Sequence, residues 1–133
     1  MNVRDLMTAN PLTIGSAQTL QDAIELMQQR HIRHLPVVDG DRMVGLVTDR
    51  DLRRAAPSPL LPRQAPETLL ETTRVDRVML KEPQTITADR PLRDALQLFV
   101  DKKYGALPVM DQGRLVGIIT PIDVMRHLLK TGT

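Results

Sequence analysis

The chain of 133 residues contains neither cysteine nor tryptophan. Because it has no thiolate, disulfide bonds, cysteine nucleophiles and cysteine-ligated zinc or iron–sulfur clusters are excluded. Its aromatic residues are one phenylalanine and one tyrosine. Surfaces that bind single-stranded nucleic acid stack successive bases on several aromatic side chains, so this scarcity argues against nucleic acid as a partner.

An excess of charge of one sign is also missing. The 18 lysines and arginines nearly balance the 16 aspartates and glutamates, which leaves a net charge of +2 and no basic footprint for nucleic acid. The apolar runs are far shorter than the roughly 20 residues of a membrane-spanning helix. Arg4 and Asp5 stand where a signal peptide would have its apolar segment. The sequence therefore predicts a cytoplasmic protein without membrane insertion.

The chain contains one motif twice. Residues 3–56 align with residues 75–128 at a constant offset and without a gap, which indicates an internal duplication. The identical pairs include Met7 with Met79, Pro11 with Pro83, Leu20 with Leu92, Asp22 with Asp94, Leu35-Pro36-Val37 with Leu107-Pro108-Val109, Gly45 with Gly117, Thr48 with Thr120 and Asp51 with Asp123.

Each copy predicts the order strand, helix, strand, strand, helix. Apolar residues at helical spacing follow a short extended segment, and two β-branched runs joined by Asp- and Gly-containing turns come next. This order predicts an α/β (α+β) fold. The strands are expected at 12–14, 34–38 and 43–47 and again at 84–86, 106–110 and 115–119, with closing helices at 49–55 and 121–129.

Residues 57–74 separate the copies and contain four prolines, of which Pro57 is expected to stop the preceding helix. Residues 67–71 can form one helical turn. Because the segment is long for a connection within a domain, the sequence predicts repeats at 1–56 and 75–133 joined by a proline-rich linker at 57–74. Neither repeat, at roughly 55 residues, buries enough surface alone, so we expect the two sheets to pack face to face about a pseudo-twofold axis.

The duplicated sequence resembles tandem cystathionine β-synthase (CBS) domains, also called a Bateman module. The resemblance rests on LPVVD at 35–39, GLVTDRDL at 45–52 and GIITPIDV at 117–124. Residues 52–55 with the following Pro57-Ser58 also resemble, more weakly, acetoin-utilisation-type CBS proteins. The resemblance implies a stand-alone, homodimeric regulatory protein. It would bind an adenine nucleotide (AMP, ADP or ATP) or an S-adenosyl compound in clefts between its repeats, and modulate a separate effector enzyme or transporter.

A hydroxyl and a carboxylate recur at the start of each closing helix, as Thr48 with Asp51 and Thr120 with Asp123. One interpretation is structural, because Thr at the N-cap with Asp three residues later forms a capping box. The other is functional, because a helix N-terminus attracts phosphate and a carboxylate there can accept hydrogen bonds from ribose hydroxyls. The two interpretations are compatible. The resemblance implies that the Asp holds the ribose and that the Thr assists with ribose or phosphate.

Cationic side chains stand at or before the start of a strand in both copies, as Arg33 and His34 just before Leu35-Pro36 in the first and Lys102 and Lys103 in the second. Such side chains can reach a phosphate, with arginine as a bidentate fork and lysine as a point charge. The alternative is an ordinary solvated cluster. We expect the first copy to have the stronger phosphate contacts.

The resemblance implies two pockets, each with its Asp from one copy and part of its adenine wall from the other. The first combines Asp51 with Thr48, Arg50, Arg33, His34, Thr85, Ile86, Tyr104 and Ala106. The second combines Asp123 with Thr120, Ile122, Gly105, Thr13, Ile14 and Ile32.

One feature distinguishes these predicted pockets and another is common to both. The second has Pro121 and Ile122 where the first has Asp49 and Arg50, which argues against polyphosphate binding there. In each, the Thr-Ile pair is either plain strand or a main-chain contact to a purine edge with Ile against the ring.

Motifs of catalysis are missing from the sequence. It has no glycine-rich phosphate loop, nucleophile elbow or His-Glu-x-x-His sequence. His31 and His34 have no further metal ligand nearby, so neither a metal nor a resident cofactor is expected, and no catalytic residue is assigned. The sequence favours a regulatory binding module. The alternatives are a structural dimerisation or interaction module with vestigial pockets and, third, an enzyme that hydrolyses or transfers phosphate.

Overall fold

The computed structural model describes residues 1–55 and 66–132. The chain forms two compact units: a central unit, Leu12–Glu82, and a terminal unit that joins Met1–Pro11 to Pro83–Thr133. These boundaries differ from those of the sequence repeats, because each unit contains the first segment of the other copy. Half of the predicted linker, residues 57–65 with Pro57, Pro59 and Pro62, lies outside the described residues.

Both copies contain helices and strands in the same order. In chain order they are α1 (Val3–Leu6), β1 (Thr8–Ala9), β2 (Ile14–Gly15), α2 (Leu20–Arg30), β3 (His34–Asp39), β4 (Arg42–Thr48), α3 (Asp49–Ala55), α4 (Pro66–Thr72), a 3₁₀ helix (Val75–Arg77), β5 (Leu80–Lys81), β6 (Ile86–Thr87), α5 (Leu92–Lys102), β7 (Leu107–Asp111), β8 (Arg114–Ile119) and α6 (Pro121–Thr131).

Each unit contains a four-stranded mixed sheet. The central sheet has the order β2-β3-β4-β5 and the terminal sheet the order β6-β7-β8-β1. In both, the first pair is parallel and the other two are antiparallel. The predicted α+β class and the order strand, helix, strand, strand, helix are confirmed. The fourth strand of each sheet, β5 or β1, is an addition that the sequence analysis did not predict.

The fourth strands belong to two equivalent leader segments, residues 3–9 and residues 75–81. Each begins with a fully buried valine, Val3 or Val75, in a short helical turn, and then enters its sheet edge. Thr8 pairs with Ile118 in the terminal sheet, and Leu80 pairs with Leu46 in the central sheet. The first leader therefore adds the fourth strand to the terminal sheet, whose other strands come from the second copy. The second leader adds the fourth strand to the central sheet, whose other strands come from the first copy.

Glycines on β4 and β8 admit the leaders. A Cβ on Gly45 would overlap Met79 Sδ and stand 2.9 Å from the carbonyl oxygen of Leu80. A Cβ on Gly117 would overlap Met7 Sδ in the same way. The absence of a side chain at these two positions therefore allows each methionine to lie directly on the sheet backbone.

The prolines of β3 and β7, Pro36 and Pro108, lie inside their strands. Pro36 pairs with Leu46 across the antiparallel ladder, but β3 begins to pair with β2 only at Val37. Proline has no N–H to donate to a ladder. It is accommodated here because the strand edge facing β2 is not yet paired at that residue.

The segment before the second leader also differs from the expectation of one helical turn. Residues Pro66–Thr72 form α4, which packs against α2, and Leu70 contacts the core of the central unit. The core residues of that unit are Ile14, Leu20, Ala23, Met27, Leu35, Val37, Val47, Leu52 and Val75. Those of the terminal unit are Val3, Ile86, Ala88, Ala95, Leu107, Val109 and Ile119.

Candidate functional site

The junction of β4 and α3 positions Thr48 and Asp51. The Thr48 N–H and hydroxyl donate to Asp51 Oδ2 at 2.9 and 3.0 Å, and the Asp51 N–H donates to Thr48 Oγ1 at 3.2 Å. Both residues are half-buried. The capping box predicted from the sequence is therefore confirmed. All of these carboxylate contacts use Oδ2, and Asp51 Oδ1 accepts no hydrogen bond from the described residues.

The junction of β8 and α6 repeats this arrangement in the terminal unit. The Thr120 N–H and hydroxyl donate to Asp123 Oδ2 at 2.8 and 3.2 Å, and the Asp123 N–H donates to Thr120 Oγ1 at 3.3 Å. Pro121 occupies the first turn of α6, where its missing N–H costs no helical hydrogen bond. Both helix starts thus hold a half-buried carboxylate in the same orientation.

A third capping box, at the start of α2, shows the same geometry at a helix where no ligand contact is predicted. The Thr19 N–H donates to Asp22 Oδ2 at 3.0 Å and the Asp22 N–H donates to Thr19 Oγ1 at 3.2 Å, at the start of α2. Sequence reasoning did not single out this pair. Because α2 has the same cap geometry, the box itself does not mark a ligand site. The charges around Asp51 must distinguish it.

Cationic residues of the β3 start lie beside the Asp51 helix. The Asp49 N–H donates to the Arg33 carbonyl oxygen at 3.0 Å, and His34 pairs with Thr48 across the ladder between β3 and β4. Burial lowers the pKa of half-buried His34 below its usual 6.5, an effect that Arg33 reinforces and the Asp49 and Asp51 carboxylates oppose. His34 is therefore neutral at pH 7, and Arg33 supplies the fixed positive charge there.

The lowered pKa of His34 predicts an acid-sensitive central unit. Unfolded His34 takes up its proton near pH 6.5, whereas the folded side chain does so only at lower pH. The neutral histidine's contribution to the free energy of unfolding is therefore fully present above pH 6.5 and lost as the pH falls through the folded pKa. We expect urea unfolding at pH 7.5 and 5.5 to show a smaller loss of stability for His34→Gln than for the wild type. His31→Gln, at an exposed position, should keep the wild-type loss.

The remaining predicted residues of the central unit have mixed positions. Arg50 is exposed on α3, and Thr13 is exposed just before β2. Ile14 is 2% exposed and belongs to the core, so its side chain has a structural role in this unit. Ile32 is half-buried, contacts the core, and its N–H donates to the Met27 carbonyl oxygen at 3.1 Å.

The terminal unit contains the other predicted residues in a less charged setting. Ala106 is buried and Tyr104 is half-buried against the core, whereas Gly105 is exposed. Ile122, the counterpart of Arg50, is 49% exposed. The structure therefore brings no cation from these predicted positions to the Asp123 helix start.

A cavity of about 420 Å³ contains two of the predicted residues and several that the sequence analysis missed. Thr85 and Ile86 lie on one side, and the Arg90–Asp94 ion pair, at 2.9 Å, also lines it. Gln84 Nε2 donates to the Thr85 carbonyl oxygen at 2.9 Å. Arg90 lies before α5 and Asp94 in its first turn, and no local pattern in the sequence marks either residue as lining a cavity. The cavity is polar enough to accept a hydrogen-bonding ligand group.

A second cavity, of about 250 Å³, lies between α2 and α3 of the central unit. Ile24, Met27 and Leu52 line it, together with the Asp49–Arg53 ion pair at 2.8 Å. None of the residues predicted as ligand contacts borders this cavity. It is an apolar groove on the helical face and is separate from the capping boxes.

The described residues contain no cluster of three or more potential metal ligands. Across residues 1–55 and 66–132, no helix combines the length and the apolar character needed to cross a membrane. The pairing of residues from the two copies into common pockets stays a prediction.

Comparison with known proteins agrees with the duplicated architecture. The CBS domain family matches residues 3–58 and 75–130. A CBS domain-containing protein of Dictyostelium discoideum is 38% identical over 132 residues, covering 96% of this chain and 91% of the relative.

Two solved structures extend this similarity to three dimensions. An acetoin utilization protein, AcuB, from Vibrio cholerae has a TM-score of 0.83 at 32% identity, covering 98% of this chain and 92% of its own. CBSX2, a CBS-pair protein of Arabidopsis thaliana crystallised in complex with AMP, has a TM-score of 0.82 at 30% identity, covering 99% of each chain. This chain therefore belongs to the CBS domain family and contains the domain as a tandem pair.

Proposed function

We propose that the protein is a regulatory module that binds an adenine nucleotide at the start of α3. The observation that carries this proposal is that the Asp51 carboxylate, unlike that of Asp22, lies beside the cationic start of β3. One oxygen caps the helix through Thr48, while the other accepts no hydrogen bond from the described residues and remains for a ligand hydroxyl. The two adjacent hydroxyls of a ribose match such a carboxylate, because each can donate to it.

The charges beside Asp51 support a phosphorylated ligand. The backbone carbonyl of Arg33 accepts from the Asp49 N–H at the start of α3, and Arg50 lies exposed on the same helix. Guanidinium groups form bidentate hydrogen bonds with phosphate. The Asp123 site lacks both arginines and has an exposed Ile122 instead. We therefore assign phosphate binding to the arginines beside Asp51, and expect an adenosine or S-adenosyl moiety without polyphosphate at Asp123.

The AMP complex of CBSX2 supports the adenine part of the proposal, since that protein is 30% identical over nearly the whole chain. Adenine does not require an aromatic wall, because aliphatic side chains can cover its flat faces. No resident cofactor is needed for this role. The nucleotide acts as a regulatory ligand that shifts the protein between two arrangements according to its differential affinity for them.

Regulation requires a second protein that responds to nucleotide binding. We propose that a separate effector, an enzyme or a transporter, reads the nucleotide-bound state in the cytoplasm. A second candidate function is an interaction module with vestigial pockets that forms homodimers. The observation in its favour is the apolar surface of α6, where Met125, Leu128 and Leu129 are 53%, 45% and 85% exposed.

A thermal unfolding panel separates these functions. We expect at least one of AMP, ADP, ATP, NAD and S-adenosylmethionine to raise the melting temperature, while GTP does not. A ligand at a hundred times its Kd adds about 2.7 kcal/mol, which for this size is a rise on the order of 6–12 °C. Absence of a shift with every ligand contradicts the sensor and favours the interaction module. Product formation during the incubation would instead indicate an enzyme that acts on phosphate.

A further inference from the structure

The redox chemistry of this chain depends on methionine, because the sequence has seven methionines and no cysteine. Two of them, Met7 and Met79, hold equivalent positions in the two leader segments. Each places its sulfur against a sheet glycine, Gly117 or Gly45, at a distance that leaves no space for even a single added carbon. The structure thus repeats one tight sulfur–backbone contact in both units.

These two methionines combine tight packing with partial access to solvent. Both are half-buried and contact the core of their unit. By contrast, Met27 is only 5% exposed, whereas Met1 and Met125 are 63% and 53% exposed. An oxidant can therefore reach Met7 and Met79 more readily than Met27, and a change at either sulfur has structural consequences that a change at Met1 or Met125 does not.

We propose that Met7 and Met79 are paired modification sites whose oxidation to methionine sulfoxide by a hydroperoxide releases the leader segments from their sheets. In the reaction the thioether sulfur gives two electrons to the terminal oxygen of the peroxide. An S=O bond forms, the O–O bond breaks, and the remaining RO⁻ or HO⁻ takes up the proton of the transferred hydroxyl and leaves as an alcohol or water. The sulfur is oxidised and the peroxide is reduced, so no further reactant is required.

Sulfoxide formation acts on the weakest part of each sheet. The added oxygen makes an apolar side chain polar and larger, and the glycine contact cannot accept the extra volume. The strands that depend on this contact are short, because β1 and β5 contain two residues each. Loss of the methionine contact therefore leaves each leader with its buried valine and a few backbone hydrogen bonds.

Hydrogen peroxide titration of the purified chain tests this proposal. Peptide mass spectrometry follows each methionine, and trypsin cleavage after Arg4, Arg77 and Lys81 reports exposure of the leaders. We expect Met1 and Met125 to oxidise first, without a change in melting temperature or in the rate of cleavage. Oxidation of Met7 and Met79 should then lower the melting temperature by about 5 °C or more and accelerate cleavage at the three sites at least tenfold.

Two double variants show which methionines cause the loss of stability on oxidation. Met7→Leu/Met79→Leu should keep its melting temperature at the same peroxide dose, whereas Met1→Leu/Met125→Leu should lose stability as the wild type does. If the first double variant does not fold, the wild-type cleavage rates measured against sulfoxide content still show whether oxidation of Met7 and Met79 releases the leaders. The proposal is overturned if Met7 and Met79 resist a dose that oxidises Met125 fully, or if their oxidation leaves both melting temperature and cleavage unchanged.

Discussion

Asp51→Ala is expected to abolish the nucleotide-induced rise in melting temperature, whereas Asp22→Ala is expected to retain it. Both carboxylates cap a helix through the same contacts with a preceding threonine. Either replacement therefore removes a cap and costs about 0.5–2 kcal/mol of stability without ligand. Only Asp51 stands beside the Arg33 and His34 segment, so only its loss removes the proposed ribose contact.

The comparison is made by thermal unfolding and by titration calorimetry with AMP and ATP. Asp22→Ala is the matched control, because it reproduces the loss of the cap at a different helix. Asp123→Ala reports whether the terminal unit contributes a site of its own. Equal loss of the shift in the Asp51 and Asp22 variants would mean that stability, and not ligand contact, determines binding. Retention of the full shift in Asp51→Ala would remove the proposed site.

Gly45→Ala is expected to destabilise the chain by about 1–3 kcal/mol, the usual cost of overpacking a filled site. The new methyl group would meet Met79 Sδ and the carbonyl oxygen of Leu80. The melting temperature should fall on the order of 4–12 °C. Gly117→Ala should behave alike through Met7 and Thr8. Gly15→Ala is the control, because its nearest neighbour is the movable side chain of Gln18 at 3.3 Å.

A double-mutant cycle tests whether contact with the Met79 sulfur causes the loss of stability in Gly45→Ala. In the Gly45→Ala/Met79→Ala variant the sulfur is gone but the Leu80 carbonyl oxygen remains, so the second substitution should cost less than it does alone. Urea unfolding of the wild type and the three variants gives the four free energies. Simple additivity of the two single substitutions would show that the methionine does not press on Gly45.

The sequence predicted the elements that depend on contacts between residues close together in the chain. The strand at 34–38 and the helix that begins after Thr48 follow from apolar periodicity and from Thr-x-x-Asp spacing, and the structure confirms both. The duplication also gave the same order for the second copy. These features depend on contacts within a few residues, which a single sequence contains.

The leader segments could not be predicted in the same way. Thr8-Ala9 has no alternating pattern, and its partner strand lies near the other end of the chain at Ile118. A two-residue strand is defined by that partner and not by its own residues. For Ile14 the sequence left a strand role and a ligand contact open, and its parallel pairing with Val37 shows that its side chain belongs to the core.

The candidate site was predicted in part. The Thr48–Asp51 geometry and its proximity to Arg33 follow from the repeat, because the strand before the helix brings the two segments together. The cavity bounded by Arg90 and Asp94 was not predicted, since an ion pair at the start of a helix gives no signal of the space beside it. Which residues surround a cavity is decided by backbone positions that local patterns do not encode.

The early synthesis of the first leader has a consequence for biogenesis. When Val3 and Thr8 leave the ribosome, their partners Arg90 and Ile118 have not yet been made, so this apolar segment must wait unpaired. The central unit, Leu12–Glu82, can instead close as soon as residue 82 emerges. An expression fragment cut at the repeat boundary would therefore hold an orphan strand, whereas one cut at 12 and 82 would carry every strand of its own sheet.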